Sequence, residues 1–161
     1  MAKLMLALSV ALVVLAVRAS AACPSNAAAV GFAGPLTMID HGISGTVKVN
    51  SDTSFTVTNF NYDGQAPAVH WWGTKGLTRR DLRGGVELDP TQIVTPRVNT
   101  IERVTIKPNL CLSNFTHIVV WCEVAQADFG HLALPSAGMS MSGSAMAPMA
   151  SATGRKMLGN L

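Results

Sequence analysis

Ile43, Gly45, Val47 and Val49 alternate with Ser44, Thr46 and Lys48, and this period of two is the tightest constraint on the fold. Successive side chains of a strand point to opposite faces, so the pattern buries one face and wets the other. Asn50-Ser51-Asp52 then supplies turn material, and Ser54 to Phe60 is rich in Thr, Val and Phe. Asp63-Gly64 marks another turn. Ala68 to Gly73 carries Val69, Trp71 and Trp72, and Ile101 to Lys107 alternates again through Val104 and Ile106. His117 to Cys122 is a short apolar run, and Phe129 to Leu134 ends the regular part. Thr74 to Pro96 is dominated by Gly, Arg and Asp and reads as mostly loop. Short strands at this spacing, with no helical period, predict an all-β chain: a single antiparallel β-sandwich or jelly-roll-like domain.

The two ends have a different character. Lys3 precedes a fourteen-residue run, Leu4 to Val17, that is apolar except for Ser9. Arg18 breaks it, and Ala19-Ser20-Ala21-Ala22 offers the small residues of a signal-peptidase site. A membrane-spanning helix needs roughly 20 apolar residues, so residues 1–22 read as a secretory signal, with cleavage after Ala21 or Ala22. Residues 23–135 are then the folded domain. Residues 136–161 are mostly Ser, Gly, Ala and Met without an aromatic, a composition that predicts a disordered tail. Its Met139, Met141, Met146 and Met149 offer thioether sulfur to soft Cu(I), and low-complexity linker is the simpler assignment. Of twelve basic residues, Lys3 and Arg18 leave with the signal, so ten face nine acids. No basic stripe remains to bind nucleic acid, and nothing beyond the leader addresses a membrane.

Export puts Cys23, Cys111 and Cys122 in an oxidising space, where one disulfide forms among them and one thiol is left over. Three pairings are open. A regular hairpin over residues 107–122 would place Cys111 roughly 13 Å along the sheet from the residue facing Cys122. Disulfide Cα atoms sit roughly 4.4–6.8 Å apart, so that hairpin would forbid a Cys111–Cys122 bond, and an irregular loop would lift the objection.

Gly31-Phe32, His41-Gly42-Ile43-Ser44-Gly45-Thr46-Val47, Asn59-Phe60-Asn61-Tyr62-Asp63-Gly64-Gln65-Ala66-Pro67, and Trp121-Cys122 followed by Phe129-Gly130 occur in that order. In this series the chain resembles the DM-thirteen family over roughly residues 31–135. The resemblance implies a β-sandwich of extracellular proteins, often beside DOMON domains that bind haem or sugars. It also implies a redox or electron-transfer role centred on the cysteine matching Cys122. The chain departs from the pattern in adding Cys111 and the Met-rich tail, and no DOMON domain accompanies it.

Each site residue carries more than one assignment. Cys122 is a reactive thiol, a ligand to haem or copper, or half of a structural disulfide; no sequence neighbour acts to lower its pKa. His41, His70, His117 and His131 are scattered without metal spacing, so no metal is assigned, and His117 falls on the strand face opposite Cys122. Trp71 and Trp72 point to opposite faces. Either one is an exposed stacking platform, or one fills the core and the other packs under the 74–96 loop. Tyr62 and Asp63 join them as binding candidates, although Asp63-Gly64 also serves simply as a turn. Asn114-Phe115-Thr116 is an N-glycosylation sequon. No nucleophile elbow, phosphate loop, zinc motif or dinucleotide fingerprint appears, and no enzymatic activity is expected of the chain by itself. Two functions follow as expectations. One is an extracellular redox accessory acting through Cys122 with a redox partner protein. The other is a module binding cell-wall or matrix polysaccharide through an exposed tryptophan face.

Overall fold

The computed structural model describes residues 23–24 and 27–135. The expected signal and the tail, with Met139, Met141, Met146 and Met149, lie outside the described residues. Two antiparallel sheets face each other. One has the order β1 (Ala33–Pro35), β3 (Ser44–Ser51), β4 (Ser54–Tyr62) and β7 (Arg97–Thr105). The other runs β2 (Thr37–Met38), β9 (Ala127–Ala133), β8 (His117–Cys122), β5 (Val69–Thr74) and β6 (Val86–Glu87). The period-two pattern is realised directly in β3, where Val47 and Val49 are fully buried and Thr46 and Lys48 are exposed. From the first sheet Val47, Val49, Phe55, Val57 and Phe60 meet Val69, Trp71, Ile118 and Val120 of the second. Trp71 sits at the middle, 5.3 Å between ring centres from both Phe55 and Phe60. No helix among the described residues is long and apolar enough to cross a membrane.

Bulges change which residues face inward. Phe55 and Val57 are buried, and strict alternation would bury Asn59 and Asn61 next. Instead the β4–β7 register shifts between Val57 and Phe60, with Asn59 at φ 52°, so Phe60 and Tyr62 enter the core. A second shift, between Val120 and Trp121, inserts Phe129 as an extra residue in β9.

Residues 74–96 are mostly loop, as expected, and hold β6 and a short helix, α1 (Arg79–Arg83), capped by Thr78, whose hydroxyl accepts from Asp81 N at 3.2 Å. Of the two forms open to residues 107–122, the irregular one is observed. A 3-10 turn, Leu112–Asn114, docks Leu112 N on Asp52 O, and the buried Asp52 carboxylate accepts from Ser113 N and Ser113 Oγ, both at 2.6 Å. That irregular corner turns Cys111 toward the N-terminal segment, and Cys23–Cys111 is the disulfide, with Cα atoms 5.5 Å apart.

Candidate functional site

At the end of the sandwich opposite the disulfide, β4 finishes at Tyr62, β5 starts at Val69 and β8 finishes at Cys122, which pairs with Val69 and Ala127. Three separate sequence segments therefore meet there. Asp63 N donates to His41 O at 3.1 Å, and His41 Nδ1 lies 2.9 and 3.0 Å from the two Asp63 carboxylate oxygens. The His41 ring packs on Phe129, 4.3 Å between centres, and approaches Tyr62 edge-on at 6.3 Å. Asp63 also accepts from Gln65 N at 2.9 Å. Desolvation pushes the Asp63 carboxyl upward, but the Gln65 N–H and the His41 ring outweigh it and hold it below its ordinary value. Tyr62 hydroxyl donates to Ala66 O at 2.9 Å and accepts from Ala66 N at 3.1 Å. Burial holds that phenol above its ordinary pKa against the help of the Ala66 backbone, with Asp63 and Cys122 adding to the rise.

Cys122 is fully buried and unpaired. Its thiol donates to Pro67 O at 3.0 Å, and its sulfur accepts from Ala125 N at 3.4 Å. Glu123 N donates to Ala68 O at 3.0 Å, so the 66–68 and 123–126 turns close over the sulfur together. Backbone strain gathers around this end. Among the described residues the non-glycine positions with positive φ are His41, Asn59, Ala68, Asn99, Asn109 and Gln126. Asparagine visits this region readily, whereas other side chains pay about 1–2 kcal/mol for it. The three that are not asparagine are His41 (φ 51°), Ala68 (φ 53°) and Gln126 (φ 48°), and all three belong to the turns of the Cys122 end.

Other predicted site residues fall elsewhere or inside. Cys122 takes no part in a disulfide, which corrects its assignment as a structural half-cystine. The exposed tryptophan face is also corrected. Trp71 is core, and Trp72, 9% exposed, stacks on Trp121 at 6.3 Å and donates from Nε1 to Leu82 O at 2.9 Å beneath α1. Tyr62 is buried rather than displayed for a ligand, while Asp63 stays at the surface. Asn114 is exposed at the end of its 3-10 turn. His70 Nδ1 lies 3.2 Å from Glu87 Oε1 but too poorly aligned for a hydrogen bond, and it is the buried side-chain nitrogen left unsatisfied among the described residues.

The side chains around Cys122 do not fit haem or copper. Its sulfur is enclosed by Pro67 and Ala125, and among the described residues no histidine, cysteine or carboxylate forms a three-donor group with it. The residues that do cluster as donors are Cys23, Asp52 and Cys111, but those two sulfurs are bonded to each other. Sequence spacing missed one constellation. His117 and His131, on adjacent strands, lie 5.9 Å apart between ring centres, and His131 Nδ1 is 2.7 Å from Asp128 Oδ2. Strict alternation puts residues 128 and 131 on opposite faces, and the Phe129 bulge puts them on the same one. Desolvation, reinforced by His131, holds His117 below its ordinary pKa against the pull of Asp128.

Comparison with known proteins covers the domain as a whole. The family model described as "Electron transfer DM13" matches residues 35–134. Protein Skeletor, isoforms B/C, of Drosophila melanogaster is 32% identical over 100 residues, covering 59% of this chain and 12% of that protein. Cytochrome b561, DM13 and DOMON domain-containing protein of Arabidopsis thaliana is 24% identical over 127 residues, covering 78% of this chain and 14% of that protein. The chain thus spans a small part of the curated relatives it matches. No solved structure matches it.

Proposed function

The chain belongs to the DM13 electron-transfer family, and from that premise we propose that it is an exported redox accessory whose working group is the Cys122 thiol. The observation that carries this is the closing of two strained turns, at Ala68 and Gln126, over one unpaired, buried sulfur. Strain of this kind persists only where surrounding structure enforces it, and it is stored at sites that open or switch. Export is supported by the apolar leader and by the Cys23–Cys111 disulfide, a bond that lasts in oxidising compartments.

The chemistry open to a lone thiol is exchange. Cys122 gives its proton to water as it leaves the Pro67 carbonyl, and the thiolate attacks one sulfur of a partner disulfide, forming a mixed disulfide while the other sulfur departs as thiolate. The one cysteine pair of this chain, Cys23–Cys111, stands at the far end, so the resolving thiol belongs to the partner, an extracellular redox protein. The Ala66–Ala68 and Glu123–Gln126 turns act as the cover. Opening them exposes the sulfur without unfolding the sheets.

Incubation of the purified chain with oxidised glutathione, followed by mass spectrometry, tests this. One adduct on Cys122 is expected under conditions where the domain stays folded, and none in Cys122→Ser. Modification that appears only at denaturant concentrations that unfold the whole domain would make Cys122 a packing residue.

A further inference from the structure

On the outer face of the second sheet, away from Cys122, two imidazoles stand side by side. His131 Nδ1 is 2.7 Å from the Asp128 carboxylate, which only accepts, so Nδ1 carries the proton. The side chains of this pair are 18% and 12% exposed, so water competes little for the bond. His117 Nδ1 lies 2.8 Å from Thr116 Oγ1. The Thr116 hydroxyl also reaches Thr74 O at 3.3 Å, so it can accept from His117 Nδ1–H while donating there. The His131 ring is set in the tautomer that leaves a bare lone pair on Nε2, and Thr116 accommodates the same tautomer at His117. Among the described residues no donor reaches either Nε2.

The register brings the two rings together. His131 pairs with Val119, and His117 lies two residues before Val119 on the same outward face, a diagonal cross-strand relation. A ring centre stands about 3 Å from an ion bound at its Nε2, so two rings sharing an ion have centres up to about 6 Å apart. The observed separation is 5.9 Å, with the rings at 83°. An imidazole fixed through Nδ1 by a carboxylate is the arrangement that orients a metal-bound histidine and raises its basicity.

We propose that His117 and His131 bind one divalent late-transition-metal ion through their Nε2 atoms, with Asp128 orienting His131 and water completing the coordination. Imidazole ligands select Zn2+, Ni2+ and Cu2+ over Mg2+ and Ca2+, which prefer oxygen. The site is independent of the exchange chemistry at Cys122, and neither depends on the other.

The test is calorimetric titration of the untagged, disulfide-bonded chain with Zn2+, which thioethers of the Met-rich tail bind poorly compared with Cu(I). One saturable Zn2+ per chain is expected, lost in His117→Gln and in His131→Gln and kept in His70→Gln. Asp128→Asn weakens affinity about 10–100-fold. Binding unchanged in either ligand variant, equal loss in His70→Gln, or no Zn2+ uptake at all overturns the site. Should a ligand variant fail to fold, the unaltered chain still decides it. Substoichiometric Cu2+ should broaden the imidazole signals of His117 and His131 and spare those of His41 and His70; uniform broadening contradicts the proposal.

Discussion

Replacing Cys23 and Cys111 together with alanine cuts the link between the N-terminal segment and the 3-10 corner. The two cysteines are separated by 88 residues. Closing a loop of that length removes denatured-chain entropy worth about 4.6 kcal/mol at 25 °C, while native disulfides in small secreted domains are typically worth about 2–5 kcal/mol. The corner itself has other anchors. Leu112 N still donates to Asp52 O, and Ser113 still bonds the Asp52 carboxylate. The native fold therefore survives the change, and the loss comes mainly from a freer unfolded chain. Urea unfolding followed by the fluorescence of buried Trp71, Trp72 and Trp121 should show a lower midpoint equivalent to about 3–5 kcal/mol. A shift of less than about 1 kcal/mol, too small for any loop of that length, would refute the reasoning and mean that Cys23 is not tied to Cys111 in solution.

Other outcomes follow from single contacts. Gly130→Ala would set a Cβ 2.5 Å from Ile43 Cγ2 and 2.8 Å from Thr37 O; thermal unfolding should report a loss of about 1–3 kcal/mol from overpacking. Trp72→Phe keeps most of the packing but forfeits the bond to Leu82 O, costing about 1 kcal/mol and loosening α1, visible as faster amide exchange there. Asp63 has its folded pKa below the unfolded value of 3.8, so the stability it contributes is complete above that pH. That contribution is lost as pH falls through the lower folded value. Asp63→Asn should flatten the acid limb of a stability–pH profile, modestly, because the carboxylate is 42% exposed.

Alternation in residues 43–49 and the short apolar runs were enough to place β3, β4, β5, β8 and β9, because each buries one face or both, and Val104 was enough to place β7. What stayed illegible depends on breaks in that period. The Asn59 bulge decides that Tyr62 is core, and the Phe129 bulge places Asp128 beside His131; neither leaves a trace in hydrophobicity. β1, β2 and β6 are only two or three residues long and carry too few side chains to show a period. The disulfide depended on an irregular corner set by Asp52, 61 residues from Ser113, a contact no local pattern announces. The Cys122 end was partly readable, since the His41, Tyr62-Asp63 and Trp121-Cys122 segments stood out in sequence. Their strained backbone, at Ala68 and Gln126 above all, belongs to three-dimensional closure.

The most direct measurement of whether those turns gate the thiol is the rate at which folded protein reacts with an aromatic disulfide in Ala68→Gly and Gln126→Gly. Glycine relieves a left-handed backbone in the closed state, favouring closure by about 1 kcal/mol, which corresponds to about a fivefold lower open population. Each variant should therefore react about five times more slowly at Cys122 than the unaltered chain while unfolding at the same or higher denaturant. Unchanged or faster reaction in variants that are equally stable would contradict the claim that strain at these turns opens the sulfur to its partner.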